Sequence, residues 1–182
     1  MAIGASAGAI QALSRILPEL PEQYRIPILI VVHVPADGSD LPQLFRTKCR
    51  LAVKEAEDKE PILPGTIYFA PPDYHLLVEP DRTISLSLDA PVLYSRPSID
   101  VLFESAADAY GADLTGIILT GANEDGADGL VAVAQAGGVA LVEDPAEAFA
   151  KAMPSGALAR CPQATRLSLD AITARLLAIE AS

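Results

Sequence analysis

Three apolar runs constrain this chain most: PILIVVH at residues 27–33, LTGIIL at 114–119 and VALVE at 139–143. A strand with one face in water alternates apolar and polar residues. Runs that stay apolar on both faces need cover on both sides, which a parallel sheet between helix layers supplies. The opening MAIGASAGAIQ adds a fourth strand. A short apolar start, Met1-Ala2-Ile3, passes through a small-residue turn at 4–8 into a helical pattern of Ile10, Leu13, Ile16 and Leu17. The first two strands therefore enclose a helix, a βαβ unit whose connection should be right-handed.

After the second strand, Asp37-Gly38-Ser39 reads as a turn and cap before a helix at about 41–49. The middle of the chain has a different texture. Strand-like pieces at 51–55, 66–70, 75–79 and 83–88 are separated by turn-rich segments, which suggests a β-rich insertion with an antiparallel hairpin between His75 and Leu88. From Pro97 the βα pattern returns. Ser98 precedes an amphipathic helix with Val101, Leu102, Ala106 and Ala109 inward, ending near Gly111. A helix at 130–136 stops at Gly137-Gly138, residues 139–143 form the last buried strand, and Ser168 or Asp170 caps a C-terminal helix. The expected fold class is α/β: a three-layer, doubly wound, mainly parallel sheet with a small antiparallel hairpin insertion. With 182 residues the chain should form one domain, 1–182.

Composition narrows the function classes. The chain is 51% hydrophobic with no Trp, so its core must be mostly Ala, Val, Ile and Leu. A formal charge of −11 argues against binding nucleic acid or an anionic membrane by bulk electrostatics. No apolar run approaches the length of a membrane span, and no basic region precedes an apolar one at the start, so a cytoplasmic protein is expected. Cys49 and Cys161 lack metal or CxxC spacing and read as reduced cysteines packed as small hydrophobes. No metal and no organic cofactor is expected.

In open parallel sheets ligands bind beyond the carboxyl ends of the strands. Ser6, His33 and Asp125 all fall at such ends. A hydroxyl needs a nearby base to become nucleophilic, and the base needs a third group to hold its tautomer. These three residues supply those roles in the chain order Ser, His, Asp. His75, in the middle insertion, competes for the role of base and is otherwise expected on the rim of a substrate pocket. Asp113, Asp128 and Asp144 rival Asp125, and Asn123-Glu124-Asp125-Gly126 also reads as an acidic helix cap.

Two motif matches point elsewhere and fail. Gly4-Ala5-Ser6-Ala7-Gly8 fits the G-x-S-x-G elbow of α/β-hydrolases, but that fold orders its triad Ser, acid, His, and no histidine follows His75. A dinucleotide-binding start would need G-x-G-x-x-G and an acidic residue ending the second strand; the fingerprint is absent and that strand ends in His33.

The residues resemble a known family, the catalytic domain of the chemotaxis methylesterases (CheB). The matching pieces are Ile3-Gly4-Ala5-Ser6-Ala7-Gly8, Val32-His33-Val34-Pro35, the LPGTIYFAP segment at 63–71, His75, and RPSIDVLF at 96–103. Leu119-Thr120-Gly121 leading to Asp125-Gly126-Ala127, Glu143-Asp144-Pro145 and Ala152-Met153-Pro154 complete them, in unbroken order from residue 2 to about 160. The resemblance implies removal of methyl esters from glutamates of methyl-accepting chemotaxis receptors, and deamidation of certain receptor glutamines. It implies the triad Ser6, His33 and Asp125, with oxyanion donors on the backbone at Ala7 and Ala122, and the receptors' cytoplasmic helices as partner.

The chain departs from the family pattern at two places: Gly8-Ala9 stands where Gly-Gly is common, and Ala122 where methionine follows Thr-Gly. The family commonly carries a receiver domain and linker ahead of the catalytic domain, whereas this chain begins at the first catalytic strand, so a receiver or other regulator outside the chain is an expected partner. Arg46, Lys48, Arg50 and Lys54 are candidates for a basic docking face toward acidic receptor helices. Two other readings stand beside the esterase: an interaction module of the same fold, and a serine hydrolase acting on a non-chemotaxis ester or amide.

Overall fold

The computed structural model describes residues 1–33 and 40–180. Seven strands form one wholly parallel sheet in the order β3-β4-β2-β1-β7-β8-β9. They are β1 (Ala2–Ala5), β2 (Ile28–Val32), β3 (Ala52–Glu55), β4 (Thr66–Phe69), β7 (Thr115–Ile118), β8 (Val139–Glu143) and β9 (Thr165–Leu167). The remaining two, β5 (His75–Val78) and β6 (Ile84–Ser87), make a separate antiparallel hairpin. Among the described residues six α-helices pack around the sheet: α1 (Ala9–Ile16), α2 (Leu41–Arg46), α3 (Ile99–Tyr110), α4 (Ala127–Gln135), α5 (Ala152–Arg160) and α6 (Leu169–Glu180).

The apolar runs do what their lack of alternation requires. In β2, Ile28, Ile30 and Val32 enter the core shared with α1, α2 and α6, while Leu29 and Val31 enter the core shared with α3, α4, α5 and the hairpin. Consecutive residues of one strand thus feed two cores, the signature of a sheet covered on both faces. The strand order runs outward in both directions from β1, so the chain reverses its winding between β1 and β7. That point is where open α/β sheets form ligand crevices.

Several expectations need correction. Residues 51–55 and 66–70 are not part of an insertion; β3 and β4 extend the main sheet, and only β5 and β6 stand apart. Residues 139–143 are the last buried strand, and beyond them β9 adds a mostly exposed edge strand paired to β8. Its sequence, TRL, is too short and too exposed to stand out as buried strand. In α1 the inward face is Ala9, Ala12, Leu13 and Ile16, and Ile10 is exposed. Asp40 caps α2 by accepting from Gln43 N–H at 3.0 Å; the turn expected at Asp37-Gly38-Ser39 lies outside the described residues. Ser98 caps α3 as expected, accepting from Val101 N–H. Both cysteines are free thiols, and burial pushes Cys49 up to about 11.

Two glycines shape the ends of β1. Gly8 adopts φ +85 at the N-cap of α1, a left-handed conformation open to glycine at little steric cost. Gly4 lies directly under Ile99 at the start of α3, where a β-carbon would overlap the isoleucine side chain.

Candidate active site

Parallel pairing brings three chain ends to one edge of the sheet. Ala5 pairs with Val32, and His33 N–H donates to Ala5 O at 3.1 Å, so Ser6 and His33 leave adjacent strands side by side. On the other flank Leu119 N–H donates to Gly4 O and Ser6 N–H to Thr120 O, each at 2.9 Å. The loop after β7 therefore starts against Ser6 and carries Asp125 to the mouth of the crevice.

Asp125 is completely buried and fully engaged. Its Oδ2 accepts from His33 Nε2 at 2.8 Å and from Ile99 N–H at 2.7 Å. Its Oδ1 accepts from Ser98 Oγ at 2.8 Å and from Asp100 N–H at 3.1 Å. The carboxylate thus sits on the N-terminus of α3, where unpaired N–H groups and the helix dipole favour negative charge. Burial pushes its pKa up, but the hydrogen bonds from His33, Ile99, Asp100 and Ser98 outweigh burial and hold it below the ordinary carboxylate value. Asp100, beside it, is pushed up to about 7, first by burial and then by the Asp125 charge, against a 2.7 Å bond from Gly129 N–H.

Since an ionised carboxylate only accepts, the proton of this bond sits on His33 Nε2 and Nδ1 is left as the ring's acceptor. Among the described residues Ser6 Oγ makes no hydrogen bond, so the contact joining nucleophile to base is not formed. The N–H groups of Ala7 and Ala122 also make no hydrogen bond among the described residues. Thr120 ties this turn together. Its Oγ1 donates to Ala7 O and accepts from Ala150 N–H, both at 2.8 Å, while its N–H donates to the buried Glu143 Oε2 at 2.7 Å.

His75 does not stand on the pocket rim. It is 1% exposed, its Nδ1 accepts from Ser98 N–H at 3.1 Å, and its Nε2 donates to Ala90 O at 3.2 Å. The residue supports the helix cap that holds Asp125. A cavity of about 260 Å³ does open beside His33, lined also by Asp73, Tyr94 and Arg96. Asp128 lies on the surface paired with Arg160, and Asp144 caps a turn by accepting from Ala146 N–H, so neither approaches His33. Among the described residues no group of three or more His, Cys, Asp or Glu side chains converges as a metal site requires.

Of the basic residues 46, 48, 50 and 54, the first three are exposed, and among the described residues only Lys54 is paired with carboxylates. Arg46 Nε donates to Val53 O, Lys48 to Ser14 Oγ, and Lys54 is held by Glu57 and Glu60. Arg50 precedes β3, at the opposite edge of the sheet from Ser6.

A family model described as CheB methylesterase matches residues 1–176. The chain belongs to the CheB methylesterase family. Its fold matches the Thermotoga maritima CheB methylesterase catalytic domain with a TM-score of 0.92 and 30% identity, over 98% of this chain and 96% of that one. A Leptospira interrogans relative, provisionally named protein-glutamate methylesterase/protein-glutamine glutaminase, is 49% identical over 93% of this chain and 89% of its own length. A Myxococcus xanthus protein-glutamate methylesterase/protein-glutamine glutaminase is 42% identical over 85% of this chain, which spans 44% of that relative. Within this CheB-family chain, Ser98, Thr120 and Asn123 are site-building residues that sequence reasoning did not reach. The sequence marks Ser98 as a helix cap, but nothing local reveals that the cap also faces an acid 27 residues away.

Proposed function

We propose that this chain is a protein-glutamate methylesterase in which Ser6 is the nucleophile, His33 the general base and acid, and Asp125 the group that orients and charges the base. The observation that carries the reading is the 2.8 Å bond between His33 Nε2 and Asp125 Oδ2 at the strand ends flanking Ser6. Ser6 Oγ attacks the ester carbonyl of a methylglutamate while its proton passes to His33 Nδ1. The tetrahedral oxyanion is met by the N–H groups of Ala7 and Ala122. His33 then protonates departing methanol, and water releases the acyl group by the reverse relay.

The same acyl-enzyme chemistry accommodates a receptor glutamine, with ammonia leaving in place of methanol. The substrate in this reading is a cytoplasmic helix of a methyl-accepting chemotaxis receptor, met in the cytoplasm by residues 1–182 acting as one catalytic domain. A receiver domain or another regulator would act on it from outside this chain. Among the described residues no helix is long and apolar enough to cross a membrane.

Methanol release from methylated receptor, compared between the native chain and Ser6→Ala, is the test. Release that disappears in the variant supports the reading. Release that survives Ser6→Ala removes the triad, and no release from the folded native chain leaves an interaction module of the same fold.

A further inference from the structure

Among the described residues, the only polar side chain on the acceptor nitrogen of His33 belongs to Asn123. Its Nδ2 lies 3.4 Å from His33 Nδ1, the lone pair left open because Nε2 is committed to Asp125. The direction of the amide is set independently: Asn123 Oδ1 accepts from Asp125 N–H at 3.3 Å, which turns the NH₂ end toward the ring. The loop that delivers the acid thus also delivers a donor to the far side of the base.

Resting on the triad reading above, we infer that Asn123 is a positioning residue that occupies the Nδ1 lone pair of His33 and must yield it before Ser6 can be deprotonated. The argument is one of proton counting. A lone pair with an N–H pointed at it serves a neutral imidazole. Once the Ser6 proton arrives on Nδ1, two N–H groups face one another and the contact becomes repulsive. Turning the amide over would bring its oxygen to the ring but forfeit the bond from Asp125 N–H. Asn123 therefore fixes the Nε2–H tautomer that catalysis needs while opposing the imidazolium that catalysis forms. The absence of a Ser6–His33 hydrogen bond fits this arrangement, since the nitrogen that would accept it is already engaged. Among the described residues, the other charged groups near the ring are Asp125, in contact with it, and Asp73 and Arg96, which line the cavity beside it. Changing residue 123 to Ala or Ser adds or removes no charge among them.

The test pairs kinetics with a measurement independent of turnover. kcat/KM for methylated receptor is recorded against pH for the native chain, Asn123→Ala, Asn123→Ser and Asn123→Asp. The two nitrogens of His33 are followed by ¹⁵N NMR in the Ser6→Ala background, where only His33 and His75 contribute. Asn123→Ser keeps a short acceptor for Asp125 N–H but does not reach the ring, so it guards against a folding defect in Asn123→Ala. We expect the native ring to carry its proton on Nε2. In the Ala and Ser variants the acid limb should move to higher pH by about 0.5–1 unit, and the plateau should rise about fivefold, as loss of one hydrogen bond to the neutral ring allows. Asn123→Asp should move the limb further, because an anion then faces Nδ1–H. A proton found on Nδ1 of the native ring overturns the inference, as does a plateau that falls in Ala and Ser with the limb unmoved. Were the native chain inactive on receptor, the esterase reading would fail while the ring titration in Ser6→Ala still decided this one: an upward displacement on Asn123→Ala supports it, and none overturns it.

Discussion

Ser98 Oγ donates to Asp125 Oδ1 at 2.8 Å while accepting from Val101 N–H, so one hydroxyl both caps α3 and anchors the acid of the site. Helix formation and active-site assembly are the same event at this residue. Ser98→Ala should lower stability by ~1–2 kcal/mol, from the lost cap and the lost donor to a buried carboxylate. It should also slow ester hydrolysis by about tenfold as Asp125 gains freedom. Urea unfolding and methanol release measured on the same preparation check the two effects together.

The two histidines should respond in opposite ways. His75→Ala strips a partner from the buried Ser98 N–H and another from Ala90 O on an exposed residue, and is expected to cost ~1–3 kcal/mol of stability. His33→Ala removes the base from a partly exposed position and should reduce the rate about a thousandfold while the fold survives. Thermal unfolding beside kinetics separates them; a stable but inactive His75→Ala would reverse the assignment.

Asp100 gives the fold a dependence on pH. Its carboxyl titrates near the ordinary value when unfolded and at about 7 when folded. Between those pH values the folded chain keeps a proton that the unfolded chain has released, so stability falls as pH rises through the window and the penalty is complete above about 7. Asp100→Asn keeps an acceptor for Gly129 N–H and cannot ionise. The variant should exceed the native chain by ~1 kcal/mol or more at pH 8, with the difference shrinking toward pH 4. Urea midpoints across that range decide it.

Thr120→Val preserves shape but deletes the hydroxyl that joins Ala7 O to Ala150 N–H. The expected cost is ~1–3 kcal/mol for two groups left without a partner. Because Ala7 follows the nucleophile, kcat should fall with little change in KM. Equal effects on both would place the hydroxyl outside the reaction's geometry.

What could be read from the sequence follows from which interactions are local. The buried strands were legible because PILIVVH, LTGIIL and VALVE violate alternation within a few residues. Ser6 and His33 were legible as strand-end residues, since the fold class says where ligands bind, whereas Asp125 stood among rival aspartates until the family resemblance singled it out. The site's supports were not. The Ser98–Asp125, His75–Ser98 and Asn123–His33 contacts span 27, 23 and 90 residues, and no periodicity encodes them. His75 misled for the same reason: a histidine in a turn-rich segment reads as exposed until packing shows both its nitrogens used. The strand at 165–167 was invisible because an edge strand of three mostly exposed residues carries no burial pattern.

Gly4 gives the site its width. The residue brings β1 directly against Ile99, whose own N–H grips Asp125, so the strand that ends in the nucleophile and the helix that holds the acid meet with no atom between them. A methyl group there would act as a wedge, levering the acid away from the edge where Ser6 emerges. Two of the three groups of the proposed triad are thereby mounted on a single stiff frame. A substitution at residue 4 should therefore be felt at both ends of that frame, at Ser6 and at Asp125.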